Sequence, residues 1–170
     1  MTKLDYAENA AIENLKERTH NGDLIHREAN TLLALLLSGA GAALYFAAKQ
    51  DPLSSVAFVV SFWLFFVALT LTLKCLMFGD YPAVWNEPKN LNQKDLELET
   101  IRAFELQNLQ KQIDHAAARN YTKSGWLNKC IIAGCATPVI GFIAWLVLAH
   151  GFSALAQVEE WGLVLRQFAS

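Results

Sequence analysis

Charged residues are missing from three long stretches of this sequence. No Asp, Glu, Lys or Arg occurs from Ala29 to Ala48, from Pro52 to Leu73, or from Cys130 to Gln157. Charged residues make up 18% of the chain, against about 25% in ordinary soluble domains. A soluble protein of 170 residues would distribute its charges along amphipathic elements. The segregation therefore argues against a water-soluble fold.

Motifs for catalysis and for metal or phosphate binding are also missing. The four histidines form no HxxxH or HExxH pair, and there is no GxSxG, Walker A or GxGxxG sequence. The three cysteines are odd in number and contain no CxxC, which favours small buried apolar side chains. A net charge of −2 gives the chain as a whole no nucleic-acid-binding character. We expect no enzyme, no cofactor and no metal site.

The uncharged stretches have the length of membrane spans. The first contains 20 residues, which reach about 30 Å as a helix, the thickness of a hydrocarbon core. In lipid every backbone N–H and C=O must be bonded internally, so these stretches must be helices. The sequence predicts an all-α membrane protein with three transmembrane helices, at about 29–48, 52–73 and 130–150, and a cytoplasmic helical region.

Basic residues indicate the orientation. Of the 14 Lys and Arg residues, 12 precede the first span or lie between the second and the third. Because cytoplasmic loops of membrane proteins are enriched in Lys and Arg, the N-terminus is predicted to be cytoplasmic and the C-terminus periplasmic. The first thirty residues carry ten charges and no apolar signal-peptide core, so the first span is expected to act as its own insertion signal. The chain is therefore expected to cross a membrane several times.

The segments outside the spans are also expected to be largely helical. Residues 1–22 carry an apolar stripe at helical spacing, formed by Leu4, Ala7, Ala11 and Leu15, and predict an amphipathic cytoplasmic helix. Asn21-Gly22 predicts a turn, with Asp23 as the N-cap of the next helix. The remaining parts are the first two spans in 23–78, a connector and long cytoplasmic helix in 79–129 with a bend near Gly125, and an outer interfacial tail in 151–170. The long helix carries a second apolar stripe, formed by Leu106, Leu109, Ile113 and Ala116.

Small residues cluster in the first and third spans. Such faces let helix backbones approach closely, either within one chain or between copies in an assembly. Pro138 is expected to bend the third span. The second span is rich in residues that suit lipid, Phe58, Phe62, Trp63, Phe65 and Phe66, so we expect it to lie on the outside. The candidate pore or helix-packing residues are Ser38, Gly39, Ala42, Ala43, Gly134, Thr137 and Gly141.

Four cations on the cytoplasmic side are candidate phosphate ligands. They are Arg27, Arg102, Arg119 and Lys123. The planar guanidinium group can bond two phosphate oxygens at once. Tyr121 and Trp126 could stack on a base or anchor the chain at the membrane interface, and the cations could equally form a solvated helical face.

The layout resembles that of small membrane effectors of bacterial antiphage systems, such as the Pycsar transmembrane effectors and the SLATT-type proteins. The matching stretches are 23–33, which leads into the first span, and the helix 98–120. A Hailong-like channel effector, controlled by an oligonucleotide from a partner nucleotidyltransferase, is also similar in size. The resemblance implies a membrane-disrupting effector that stops phage growth by killing or arresting the host cell.

Three functional interpretations remain open at this point. The first is a homo-oligomeric channel or pore, expected to be a tetramer, gated from the cytoplasm by a nucleotide or oligonucleotide made by a partner nucleotidyltransferase or cyclase. The second is a holin-like phage membrane protein that makes lesions without a ligand. The third is a non-conducting scaffold subunit of a membrane complex. The partners common to all three are membrane lipids.

Overall fold

The computed structural model describes residues 2–49, 53–77 and 97–149. Within these ranges 94% of the residues are helical and no strand occurs, which confirms the all-α prediction for this part of the chain. The helices are α1 (Lys3–Ala47), α2 (Ser54–Leu71), α3 (Leu98–Cys135) and α4 (Thr137–Ala149), and a π-helical turn, Thr72–Leu76, continues α2. The predicted connector after Gly79 and the predicted tail after Gly151 lie outside the described residues.

The helices are long and apolar enough for two or three membrane spans. Both α1 and α2 with its π turn contain an apolar segment of sufficient length. α3 and α4 meet at 46°, and they supply a third span if the bent pair is counted as one. Embedding in a membrane therefore agrees with the length and the composition of the helices.

A reciprocal pair of hydrogen bonds starts α1. The backbone N–H of Asp5 donates to Oγ1 of Thr2 at 3.2 Å, and the N–H of Thr2 donates to Oδ2 of Asp5 at 2.7 Å. This is the capping-box arrangement, in which two backbone donors of the first turn are satisfied by side chains. The first residues of the sequence are thus chemically suited to begin a helix.

The turn predicted at Asn21-Gly22 is wrong. α1 continues through both residues and joins the amphipathic N-terminal segment to the first apolar stretch in one helix of 45 residues. A glycine inside a helix costs about 1 kcal/mol relative to alanine. Leu15 before the glycine and Ala29 after it are completely buried, and packing of this kind outweighs a local preference.

Contacts divide the chain into two compact units. The first, here called the polar unit, contains Met1–Thr31 and Leu71–Lys129, and the second, the apolar unit, contains Leu32–Thr70 and Cys130–Ser170. In the polar unit α1 and α3 run parallel, because residue numbers rise together along their contacts. Three contacts between the two helices show this order, namely Glu8 with Arg102, Leu15 with Ile113, and Arg18 with Asn120.

The predicted apolar stripes form the core of the polar unit. Leu15, Ile113 and Ala116 are buried together, and Ala11 and Leu109 pack against them. Both stripes were predicted from helical spacing, and the prediction is confirmed for these five residues, which pair the two helices within one chain.

In the apolar unit α2 runs antiparallel to α1. The hydroxyl of Ser61 donates to the carbonyl oxygen of Ala40 at 2.8 Å, and a Cβ at Gly39 would lie 3.2 Å from Cδ1 of Leu64. A short link between Ala47 and Ser54 is what antiparallel neighbours require.

The third apolar stretch bends at Ala136 and not at the predicted Gly125. α3 passes through Gly125 without a break, whereas Pro138 stands in the first turn of α4. Proline has no N–H, so the carbonyl of Gly134, four residues earlier, loses its helical partner. The hydroxyl of Thr137 donates to that carbonyl at 2.7 Å and replaces the missing bond. The predicted effect of Pro138 is confirmed.

Candidate functional site

Three of the predicted packing glycines lie against neighbouring helices of the same chain. A Cβ added at Gly39 would lie 3.2 Å from Leu64 Cδ1, one at Gly134 would lie 3.5 Å from Leu36 Cδ2, and one at Gly141 would lie 3.4 Å from Val60 Cγ2. These distances are those of tight or ordinary side-chain contact. The three glycines therefore serve close packing within the monomer, which was one of the two alternatives that the sequence left open.

Other small residues of α1 stay exposed. Ser38, Gly41 and Ala42 are exposed, while Ala43 is half-buried, and a Cβ added at Gly41 would meet no atom within 4 Å. The small residues of the first span thus divide into two groups. Gly39 faces α2 of the same chain, and the group around Gly41 leaves a narrow side of α1 uncovered.

α2 is not peripheral to the apolar unit. Phe58, Phe62, Phe65 and Phe66 are each more than half exposed, in agreement with the predicted lipid-facing surface. Trp63 differs, because it is half-buried and its indole N–H donates to the carbonyl oxygen of Ala133 at 3.2 Å. The prediction that Trp63 faces lipid is wrong. An indole N–H in an apolar environment needs an acceptor, and the backbone next to the bend provides one.

An apolar groove of about 340 Å³ lies between α1 and α2. Among the described residues that line it, Ser61 alone has a polar side chain, and its hydroxyl donates to the Ala40 carbonyl. A molecule bound in this groove would be recognised by its shape and by apolar contact. Its lining consists of Leu37, Ala40, Gly41, Leu44, Phe58, Ser61, Phe62 and Phe65.

The predicted phosphate ligands do not form one cluster. Arg102 and Arg119 are separated by about 26 Å along α3, at 1.5 Å per residue. Nη2 of Arg102 donates to Asp5 at 2.6 Å and to Glu8 at 2.7 Å, and Nε donates to Glu8 at 3.2 Å, so one edge of the guanidinium group is engaged. This side chain acts as a clamp between α3 and the start of α1.

The clamp changes the acidity of its members. Hydrogen bonding to Arg102 and to Thr2 lowers the pKa of Asp5 from 3.8 to about 2. Hydrogen bonds from the guanidinium group to Glu8 and Asp5 raise the pKa of Arg102 above its usual value. Because the guanidinium group of Arg102 remains ionised under all ordinary conditions, the pH dependence of the clamp comes from the carboxylates alone.

Arg119 and Lys123 lie one helical turn apart in the polar unit. Lys123 is buried, and burial followed by repulsion from Arg119 lowers the pKa of its ammonium group. Arg27, the fourth candidate, is exposed, and its carbonyl oxygen accepts a hydrogen bond from the Thr31 hydroxyl at 3.1 Å. Among the four predicted ligands, Arg119 and Lys123 form a pair, because repulsion from Arg119 contributes to the lowered pKa of Lys123.

A second group of cations surrounds Trp126. The Nζ atom of Lys129 lies 4.5 Å from the centre of the Trp126 ring, and Nζ of Lys74 lies 5.5 Å from it. Sequence reasoning considered Trp126 and did not connect it to the two lysines. The sequence feature that could have indicated this contact is that each lysine lies directly beside the end of an uncharged stretch.

A buried cysteine fixes the π turn against α3. Cys75 is 1% exposed, and its thiol contacts the carbonyl oxygen of Lys123 at 3.5 Å. The interpretation of the cysteines as small buried residues is confirmed for Cys75 and Cys130 and is wrong for Cys135, which is exposed. Among the described residues no group of His, Cys, Asp and Glu side chains could hold a metal ion.

Comparisons with protein-family models, with curated proteins and with solved structures found no match to this chain.

Proposed function

We propose that this protein is the subunit of a homo-oligomeric channel or pore in the bacterial inner membrane, and that it acts as an effector in antiphage defence. When triggered, the assembly depolarises the membrane and arrests the infected cell. The N-terminus and 97–129 lie in the cytoplasm, in agreement with the basic-residue bias of the sequence.

One observation carries the assembly part of this proposal. After the chain has packed its own helices, the side of α1 bearing Ser38, Gly41 and Ala42 remains exposed inside a 20-residue uncharged stretch. Small side chains favour close helix approach in lipid, where apolar surface alone gives no drive for association. A second copy of the chain can approach α1 here without displacing any contact of the monomer.

The conduction part follows from the composition of the spans. The three predicted spans contain no charged residue, so an ion path lined by them would be apolar. A narrow apolar path excludes water. Such a constriction is a closed gate until the surrounding helices separate. The polar unit, in which α1 and α3 are paired, is the part of the described chain suited to receive the signal.

Assembly is tested with a pair of matched glycine substitutions. Gly41→Leu and Gly125→Leu both introduce a side chain into open space, but only Gly41 lies in a predicted span. Gly41→Leu should reduce oligomers in chemical cross-linking and reduce depolarisation measured with a potential-sensitive dye, whereas Gly125→Leu should change neither. If both variants assemble and depolarise alike at equal expression, the exposed side of α1 is not the interface.

The same measurement separates conduction from scaffolding. Oligomers of the unmodified chain that form without any change in membrane potential, with or without infection, would support the non-conducting scaffold. Depolarisation on expression without any ligand or infection would support the holin-like alternative.

Orientation is tested with reporter fusions. Alkaline phosphatase fused after Ser170 should be active, and the same enzyme fused within 98–120 should be inactive, because it folds only outside the cytoplasm. The opposite pattern would reverse the topology.

We propose a nucleotide or short oligonucleotide as the signal, with Arg119 and Lys123 as its phosphate ligands and Arg27 as a third cation. Phosphate contacts release counterions, so binding should weaken steeply with salt. Arg119→Ala should reduce both the affinity and the salt dependence for the four cyclic mononucleotides and a triadenylate. Lys111→Ala, at an exposed position of α3 outside the predicted ligands, is the matched control. Absence of binding at low salt would remove nucleotide gating and leave the assembly proposal standing.

A further inference from the structure

Two lysines from different elements converge on one aromatic ring in the polar unit. Lys129 and Trp126 belong to α3, and Lys74 belongs to the π turn that follows α2. The two ammonium nitrogens lie 4.5 Å and 5.5 Å from the ring centre, which places them within about 10 Å of each other. The structure thus brings one ammonium group from each of two elements to the same ring.

The position of this group along the chain corresponds to a membrane interface. Lys74 is the first charged residue after the stretch Pro52–Leu73, and Lys129 is the last before the stretch that starts at Cys130. Tryptophan and lysine are enriched at this depth, where the ring lies among headgroups and the ammonium group extends towards water. Both lysines therefore stand at the level of lipid phosphates if the uncharged stretches span the bilayer.

The local structure holds the group in place. Lys74 lies in a π-helical turn closed by a hydrogen bond of 2.9 Å from the N–H of Met77 to the carbonyl of Thr72. Turns of this kind are rare and are frequently found at functional sites. The next residue, Cys75, is buried against α3, so the position of Lys74 is fixed relative to that helix. Trp126 is itself half-buried, which limits the orientations of its ring.

The electrostatics favour an anion. The faces of Trp126 attract both ammonium groups, but the two like charges repel each other. Neither Lys74 nor Lys129 forms a salt bridge with any described carboxylate. Lys123 and Arg119 are further cations one and two turns earlier on α3; burial, followed by repulsion from Arg119, lowers the pKa of Lys123.

We propose that Lys74, Lys129 and Trp126 form a binding site for the headgroup phosphate of an anionic phospholipid. Basic pockets between transmembrane helices on the cytoplasmic side are a recurrent form of such sites. The lipid would link the end of α2 to α3, because its phosphate would contact one lysine from each. The proposal rests on the membrane embedding assumed in the proposed function, and it requires neither conduction nor a nucleotide.

The test uses full-length, delipidated protein in a neutral detergent. Native mass spectrometry would measure binding of phosphatidylglycerol and of phosphatidylcholine with identical acyl chains. Each of Lys74→Gln and Lys129→Gln should lower the affinity for phosphatidylglycerol about fivefold, and the double variant about 25-fold. Lys74→Arg with Lys129→Arg should retain binding, and Lys111→Gln, at an exposed position of α3, should change nothing.

Three outcomes would overturn the proposal. They are equal binding of the two lipids, an unchanged preference for phosphatidylglycerol in the double glutamine variant, and displacement of phosphatidylglycerol by inorganic phosphate at comparable concentrations. In the last case the site would serve soluble phosphate. Circular dichroism of each variant confirms that the helices remain folded.

The result is separable from that of the proposed function. Lost lipid preference with unchanged oligomers and unchanged depolarisation would establish the lipid site alone. A chain that forms no oligomer but still prefers phosphatidylglycerol through the two lysines would retain this inference and remove the channel.

Discussion

The polar and the apolar unit are held together by different interactions, although α1 and α3 contribute to both. In the polar unit a narrow apolar seam is buried between two otherwise polar helices, and Arg102 clamps one end of it. In the apolar unit the close contacts are at glycines, and side chains donate to backbone carbonyls. Those donors are Ser61, Trp63 and Thr137.

The difference follows from the solvent that each unit is expected to meet. In water, burial of a few leucine and isoleucine side chains is favourable because apolar surface is removed from water. In lipid the surroundings are as apolar as the side chains, so helices are held by tight packing and by hydrogen bonds between them. The polar unit is therefore stabilised mainly by removing apolar side chains from water, and the apolar unit mainly by close packing and by hydrogen bonds to backbone carbonyls.

The largest expected effect is in the seam of the polar unit. Leu15 is fully buried, so Leu15→Ala should lower the free energy of unfolding by about 2–5 kcal/mol through lost burial and the cavity that remains. Leu24→Ala, at an exposed position of the same helix, is the matched control and should have little effect. Thermal unfolding followed by circular dichroism measures both. Equal losses would show that the seam does not stabilise the pair.

The next effect tests close packing in the apolar unit. Gly39→Leu places a side chain where Leu64 already lies, and overpacking of this kind costs about 1–3 kcal/mol. Gly41→Leu, two residues further on, enters open space and should leave the stability of the monomer unchanged. Unfolding of monomeric protein by added SDS measures the difference. A destabilised Gly41→Leu monomer would mean that this side of α1 is covered within the chain.

A smaller effect is expected for the hydrogen bond beside the bend. Trp63→Phe removes the indole donor to the Ala133 carbonyl and retains most of the apolar surface. Interhelical hydrogen bonds in membranes contribute about 1 kcal/mol. Phe62→Leu, at an exposed neighbouring position, serves as the control in the same SDS titration. If Trp63→Phe lowers the stability no more than the control does, the hydrogen bond of the indole does not stabilise the fold.

The smallest effect depends on pH and is confined to the polar unit. The pKa of Asp5 falls from 3.8 in the unfolded chain to about 2 in the folded one, so its carboxylate stabilises the fold above pH 4. This contribution is lost as the pH falls from about 4 to about 2, because both states then bind the proton. The midpoint of thermal unfolding should thus exceed that of Arg102→Gln by a constant amount above pH 5. The difference should shrink below pH 4, and a difference that persists at pH 2 would contradict the assignment.

Sequence reasoning succeeded where a pattern repeats along one helix. The stripes that include Leu15 and Ile113 were predicted from spacing alone, and Pro138 bends the chain as its chemistry requires. It failed where the outcome depends on another helix. A turn was predicted at Gly22 and a bend near Gly125, yet both residues lie inside continuous helices. The ion pairs of Arg102 with Asp5 and Glu8, almost a hundred residues earlier, were not predicted.

The sequence by itself determined the helical class, the uncharged stretches and the faces that carry small or apolar residues. These properties depend on composition and on the spacing of residues three or four positions apart, both of which are local features of the sequence. Only the tertiary structure decided which glycines face a neighbour, which cations are already paired, and which lysines meet at Trp126. Those contacts join residues almost a hundred positions apart, as Leu36 and Gly134 or Asp5 and Arg102 do. Their geometry depends on how α1 and α3 align side by side, and local sequence does not encode that alignment.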